Sequence, residues 1–419
     1  DKPIPARAQS LPGGTESKGR GMKAVKLVAA GLLLLVTLLS GRSAEAQGRF
    51  RADYRAWHRN ADADGPLING PNGFSDDESE FGFDSGFGFT VGWSFSEIDI
   101  EAQFMRIPDW ESRENYRLAL PTVFDDPTSA FIAPANNLAV PASALRVAAT
   151  LAALGEDDEI EYLEAGARAS TAYTSRFDSF ELNIGSNRSK RPYWFALGWR
   201  HLELDEASNM RVVGTFQAID ADDGAFPGGA GDGGNNGISH AALTGAGFTL
   251  IAGGADGFTG YDPTAGAPVI TTLGAAFQGR AQNELDGLQL TIGGRTQPAE
   301  LVVLEGFAKL GVYHNEASGM VQETVAGLIN DTSVYRRTFT GGKDTASFGG
   351  GLGFRVLFPL TDYISFMTGY EALLLTNIAL SPDQAQGIGT NFLGATRYNV
   401  VTNGLFVGHG GNAGLEVTW

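Results

Sequence analysis

Apolar and polar residues alternate with a period of two along much of this chain. Phe50, Ala52, Tyr54 and Ala56 alternate with Arg49, Arg51, Asp53 and Arg55. Phe81, Phe83, Phe87, Phe89, Val91, Trp93 and Phe95 share one parity, with Gly, Asp, Thr and Ser on the other. Ile98, Ile100, Ala102 and Phe104 then oppose Glu97, Asp99, Glu101 and Gln103. The C-terminal part repeats the theme. Phe348, Leu352, Phe354, Val356 and Phe358 oppose Ser347, Gly349, Gly351, Gly353 and Arg355, and the turn 359–362 leads into Ile364, Phe366, Tyr370, Ala372 and Leu374. Ala413, Leu415, Val417 and Trp419 close the chain. Less regular strands are expected near 175–186, 193–205, 285–296 and 300–314. Period-two alternation marks strands with one apolar and one polar face.

A soluble sandwich alternates too, so the choice rests on three further features. The predicted strands run to about 10–15 residues, against a usual ~5–6. Their apolar faces carry Phe and Leu, while the opposite faces carry Gly and charge. The connections alternate between long (59–80, 108–174, 206–284, 315–345, 376–403) and short (Ser96, 187–192, 297–299, 359–362). Long outer loops and short periplasmic turns characterise membrane β-barrels. Hydrocarbon offers no partner for a backbone N–H, so a spanning sheet must close on itself. The expectation is all-β: an antiparallel transmembrane β-barrel of about ten strands, with both termini on the short-turn side. Weak stretches at 161–173 and 209–218 would make twelve if they formed a further hairpin.

Composition narrows the field. The chain has 419 residues, 57 glycines and no cysteine. Without cysteine there is no disulfide, thiolate metal site or thiol nucleophile. A net charge of −18 argues against nucleic acid, which needs a basic surface. Residues 22–46 have the three parts of a secretory signal: Lys23 and Lys26, an apolar run from Leu27 to Ser40, and Ala44-Glu45-Ala46 for cleavage. The expected organisation is an over-extended leader at 1–21, a signal peptide at 22–46 and one barrel domain at 47–419. Export through the Sec pathway to a bacterial outer membrane follows.

Several segments resemble a family. FRADYRAW (50–57), FALGWRHLELDE (195–206), EGFAKLGVYHN (305–315), GYEALLLTNIALSPDQ (369–384) and GGNAGLEVTW (410–419) are similar to planctomycete outer-membrane β-barrel proteins. Those in turn resemble the pore-forming major outer-membrane proteins of Legionella type. The resemblance implies an outer-membrane barrel whose C-terminal aromatic, here Trp419, is read by the barrel-assembly machinery. It supplies no catalytic residues and says nothing of loops 108–174 and 206–284.

The polar faces supply the candidate chemistry. Arg49, Arg51 and Arg55 form one row, and Glu97, Asp99 and Glu101 another. Arg200, Arg295, Lys309, Arg355, Glu305 and Glu371 also phase inward, as does Glu181. Such rows either orient a permeating solute or join as ion pairs that fill a small barrel. Asn60, Asp62 and Asp64 resemble the start of a calcium loop, but Pro71 stands where the closing glutamate belongs. They read more simply as a solvated acidic turn, as do Asp220, Asp222 and Asp223. The Gly-rich run 224–237 lacks the Lys-Ser/Thr ending of a phosphate-binding loop. The histidines have no metal spacing, and no enzyme or cofactor is expected. A rim hydrolase using His58 or His314 is a remote option. Trp57, Trp93, Trp194, Trp199, Tyr54, Tyr363 and Tyr370 are candidates for interfacial girdles. The leading expectation is a narrow passive pore for small polar solutes or ions, with outer-membrane lipid as its surroundings. The rival is a non-conducting structural or display barrel whose long acidic loops bind envelope components.

Overall fold

The computed structural model describes residues 47–60, 81–117, 122–125, 159–163, 166–220, 237–238, 240–255, 258–259, 271–327, 333–390 and 396–419. Ten long strands form the wall: β1 (Gln47–Asn60), β2 (Asp84–Ser94), β3 (Ile98–Arg117), β4 (Arg168–Ser186), β5 (Tyr193–Asp220), β6 (Thr271–Ala299), β7 (Val302–Gly327), β8 (Val334–Pro359), β9 (Ile364–Ile378) and β10 (Gly404–Thr418). Each pairs antiparallel with its predecessor, and β1 pairs with β10, so the sheet closes. Closure leaves no edge at bilayer height, which hydrocarbon requires. At the seam Gly48 and Trp419 exchange backbone hydrogen bonds of 2.9 and 3.1 Å.

Burial alternates along the strands with the predicted parity. Leu310, Leu352, Leu197 and Phe354 are 68%, 66%, 60% and 56% exposed on the outer face, while Arg51, Arg55 and Glu305 are buried inside. On β7 the outward apolar stretch runs from Leu304 to Val312, and on β8 from Phe358 to Phe348. These match the roughly 9–11 residues a tilted strand needs to cross a membrane. Tyr193, Leu301, Leu360, Tyr363 and Trp419 border the band at the short-turn side, all exposed.

The strands differ greatly in length. β5, β6, β7 and β8 have 28, 29, 26 and 26 residues, whereas β1, β2, β9 and β10 have 14, 11, 15 and 15. One side of the barrel therefore rises far beyond the apolar band. Within the expected loops 108–174, 206–284 and 315–345, residues 108–117, 168–174, 206–220, 271–284, 315–327 and 334–345 belong to these long strands. The stretch 209–218 is the upper part of β5, and 168–173 opens β4, so neither is a separate crossing and the count is ten. Two short strands, Thr122–Asp125 and Glu159–Leu163, extend the sheet beside the end of β5.

A register shift in β3 explains part of the misreading. Between Ile107 and Trp110 a bulge lets Pro108 and Asp109 pass unpaired. Inward parity changes from odd (Met105, Ile107) to even (Trp110, Ser112) across it. Proline has no N–H for the ladder, so a bulge is where a strand tolerates it.

The expected outer loop 376–403 does not simply project outward. A second register shift lies between Thr376 and Ile378, with Asn377 at φ 55°. Asparagine tolerates this left-handed conformation better than most residues. Beyond it the chain turns into the lumen, where Ile378, Ala379, Leu380, Ser381 and Gln384 are fully buried. A short 3-10 turn (Pro382–Gly387) and a hairpin of Ile388–Thr390 with Thr396–Tyr398 follow.

The leader, the signal segment, Asp62, Asp64, Asp222, Asp223 and residues 224–236 lie outside the described residues. Asn60 ends β1, opposite Val407.

Candidate functional site

The lumen is filled in tiers. Nearest the short turns, Arg49 Nη2 donates to Glu101 at 2.8 Å. Arg188, from the turn after β4, donates to the same carboxylate at 3.1 Å and, through its backbone N–H, to Asp99 at 3.1 Å. Trp194 lies under the Arg188 guanidinium, 4.1 Å from ring centroid to Cζ. Its indole covers Gly293 so closely that a Cβ there would fall 2.2 Å from the ring. Arg51 bridges Glu416 and Glu305, and Arg295 donates to Glu305 at 2.9 Å.

The next tier centres on two carboxylates. Glu371 accepts from Arg55 at 2.8 Å and from Arg355 at 2.7 Å. Asp53 holds the other side of Arg55 at 2.6 Å. Glu181 accepts from Lys309 at 2.8 and 2.9 Å and from Gln289 at 2.8 Å, and lies 3.3 Å from Arg200. The cavities left beside this network measure about 10 and 20 Å³, room for a water or so each.

Above it the filling becomes apolar. Trp57, Met105, Ile107, Phe177, Leu202, Leu285, Leu373 and Phe406 form one buried cluster. Arg59 crosses this layer with its guanidinium 5.0–5.3 Å from the rings of Phe81, Tyr173 and Phe406 and paired with Glu206. The inward segment rests on top. Asn283 donates to Ala379 O at 2.8 Å and accepts from its N–H at 2.7 Å. Ser381 donates its N–H to Glu206 at 2.9 Å. Gln384 ties Leu380, Val401 and Tyr398 together at 2.9–3.1 Å. Burial pushes the Tyr398 phenol well up from its usual pKa, so it stays a hydrogen-bond donor.

Of the charges expected to line the lumen, Arg49, Arg51, Arg55, Asp99, Glu101, Arg200, Arg295, Glu305, Lys309, Arg355 and Glu371 all point inward, and each is ion-paired. Glu97 does not. It belongs to the short turn before β3, where it is exposed and takes Arg191 at 3.1 Å and Lys190 at 3.8 Å. Trp57 and Trp194 are not girdle residues: both are buried in the lumen at 1% and 5% exposure. Tyr54, Tyr363 and Tyr370 do face outward. Arg188 and the inward segment had no sequence signal, the first because parity is undefined in a turn and the second because its contacts cross the barrel. Arg59 and Glu206 continue the inward parity of Arg55 and Arg200 and were missed because each stands at the edge of an expected loop.

His58 and His314 lie on β1 and β7, which are not neighbours. His58 packs against His409 and Phe83, and His314 has Glu316 at 3.8 Å. Among the described residues no group of three or more His, Asp or Glu is placed to hold a metal.

The first outward row above the apolar band is acidic, and Arg176, Arg211, Arg280 and Arg336 face outward beyond it. Just past the apolar band, strand register sets Arg106, Asp178, Glu203, Glu284, Glu316 and Asp344 opposite one another across β3 to β8. Arg106 neutralises Asp178 through a bidentate pair at 2.6 and 2.7 Å, and His201 lies 3.2 Å from Glu203. Glu284 and Glu316 remain directly opposed like charges.

No family model and no curated protein matches the chain. Solved structures similar to it include the outer membrane protease OmpT from Escherichia coli, 9% identical over 90% of this chain and 98% of that one, with a TM-score of 0.34. The toluene transporter TodX of P. putida is 10% identical over 91% of each chain, at 0.23. An anion-selective porin from Comamonas acidovorans is 9% identical over 90% of this chain and 100% of that one, at 0.20. At such identity no side-chain role carries over from any of them.

Proposed function

We propose that the protein is a bacterial outer-membrane barrel that does not conduct solutes in this state. It serves by holding its raised wall, with the acidic row at its foot, and its long loops outside the membrane, toward envelope components. The observation that carries this reading is the tier around Glu371 and Glu181. It fills the lumen at the height of the apolar band, and the two cavities beside it among the described residues are water-sized. Long connections at one end and short ones at the other support an orientation with the short turns in the periplasm. Trp419 at the barrel seam suits the assembly signal that the family resemblance implies.

Planar-bilayer recording of the refolded full chain tests this. No discrete conductance step is expected from protein whose folding is verified by its heat-shifted gel mobility. Reproducible steps would overturn the closed reading and favour the narrow passive pore for small polar solutes or ions. One observation supports that second reading. The filling at bilayer height consists of ionic side chains carried by the wall itself, and these hydrate more readily than a packed apolar plug. If it conducts, charge reversal at Arg51 or Glu101 should alter ion selectivity.

A further inference from the structure

We propose that the cleft between the inward segment and the upper inner face of β8 binds an anionic saccharide, a sugar bearing a carboxylate or a phosphate. The cleft is open to solvent and has a volume of about 750 Å³, within the ~300–1,000 Å³ of small-molecule sites. Lys343 and Thr345 of β8 form one wall, with Asn377 at the top of β9. Arg397, Asn399 and Thr402 of the inward segment form the other.

The charge of the lining decides the ligand class. Among the described residues it contains Lys343 and Arg397 and no carboxylate. Neither cation has an ion-pair partner among the described residues. In the lumen below, Arg49, Arg51, Arg55, Arg59, Arg200, Lys309 and Arg355 each meet a carboxylate. In a chain with 48 acidic and 30 basic residues, a cleft whose described lining has two cations without an ion pair and no acid is a local reversal of sign. Cations of this kind bind oxyanions through charge-assisted hydrogen bonds. The other polar lining groups are amides and hydroxyls, each able to meet a sugar hydroxyl as donor or acceptor.

The walls are set before any ligand arrives. Asn377 donates to Ala346 O at 3.0 Å, and its own carbonyl accepts from Ser347 at 3.0 Å and Asn315 at 3.2 Å. Asn399 N–H donates to Gly387 O at 3.0 Å, and Gln384 fixes Val401 from behind. A preformed site loses less ordering entropy on binding. The inference goes beyond the closed-barrel reading and holds whether or not the lumen conducts, because conduction and binding are measured separately.

Titration calorimetry on the refolded full chain tests it, with glucose 6-phosphate, glucuronate, glucose and inorganic phosphate as probes. The two sugar anions are expected to bind one per chain, and glucose at least tenfold more weakly. Lys343→Met and Arg397→Gln should each weaken the sugar anions about tenfold, while Lys343→Arg retains them. Retention in Lys343→Arg separates loss of charge from loss of fold. Purified lipopolysaccharide then distinguishes the source. Competition with glucose 6-phosphate supports a lipid-borne glycan, and lack of competition supports a free solute. Absence of binding by both sugar anions overturns the proposal. So does equal affinity for glucose, affinity for inorganic phosphate as high as for the sugar phosphate, or unchanged binding in the two charge-removing variants.

Discussion

Glu371 illustrates what a single buried charge does here. It accepts from Arg55 and Arg355, on strands β1 and β8, so it ties together two distant parts of the wall. Removing one partner of a buried ion pair leaves an uncompensated charge and costs about 3–5 kcal/mol. Glu371→Ala is expected to destabilise the barrel by that order, read as a lowered midpoint in urea unfolding followed by tryptophan fluorescence. Glu284 is the opposite case. Register sets it between Glu203 and Glu316 on the water-facing wall. Like charges directly opposite in a sheet destabilise it, with cross-strand pairs of order 0.2–1 kcal/mol. Glu284→Gln should therefore raise stability by about that amount, and the gain should shrink in high salt. No change at low salt would mean that the row is fully relieved by His201 and solvent.

The strands show where sequence patterning is strong and where it fades. On β8 the outward positions change from Phe348 to Ala346 and Asp344 within a few residues, because lipid gives way to water. A basic residue costs roughly 2–4 kcal/mol at mid-bilayer and about 0–1 near the interface. Leu352→Arg and Ala346→Arg, on the same face of one strand, should differ accordingly in unfolding measured from lipid vesicles. Equal costs would place the bilayer elsewhere. The same change of surroundings explains why the upper halves of β4 to β8 read as loops. With water outside and a mixed interior of Glu206, Ser208, Met210 and Val212, the two faces no longer contrast sharply, so alternation weakens in stretches such as 206–220. In β3 the bulge at Pro108 adds a reversal of parity, which a strict period-two reading takes as the end of the strand.

At the scale of the molecule, the barrel is lopsided. A short wall of β9, β10, β1 and β2 faces a tall one centred on β5 to β8, and the segment after Asn377 folds across the step between them. This arrangement closes the lumen from above while the ionic tier fills it at bilayer height. The bilayer recording therefore tests the whole assembly rather than any one residue. The 750 Å³ cleft lies above the filled part, where the proposed ligand would be held without passing through.

The chain alone determined the barrel class, the lipid-facing parity and most of the inward charges, and it left ten or twelve crossings open until the structure fixed ten. These follow from local alternation, since a strand in lipid must be apolar on one face and hydrogen-bonded along both edges. Only the tertiary structure decided how those charges pair, because Arg51, Glu305 and Glu416 are brought together by closure of the ring and lie far apart in sequence. It also decided that Glu97 stays outside and Trp57 and Trp194 inside, that an expected outer loop turns inward at Asn377, and that Lys343 and Arg397 share one cleft. Each of these depends on which strands face each other across the lumen, a relation that period-two patterning does not contain.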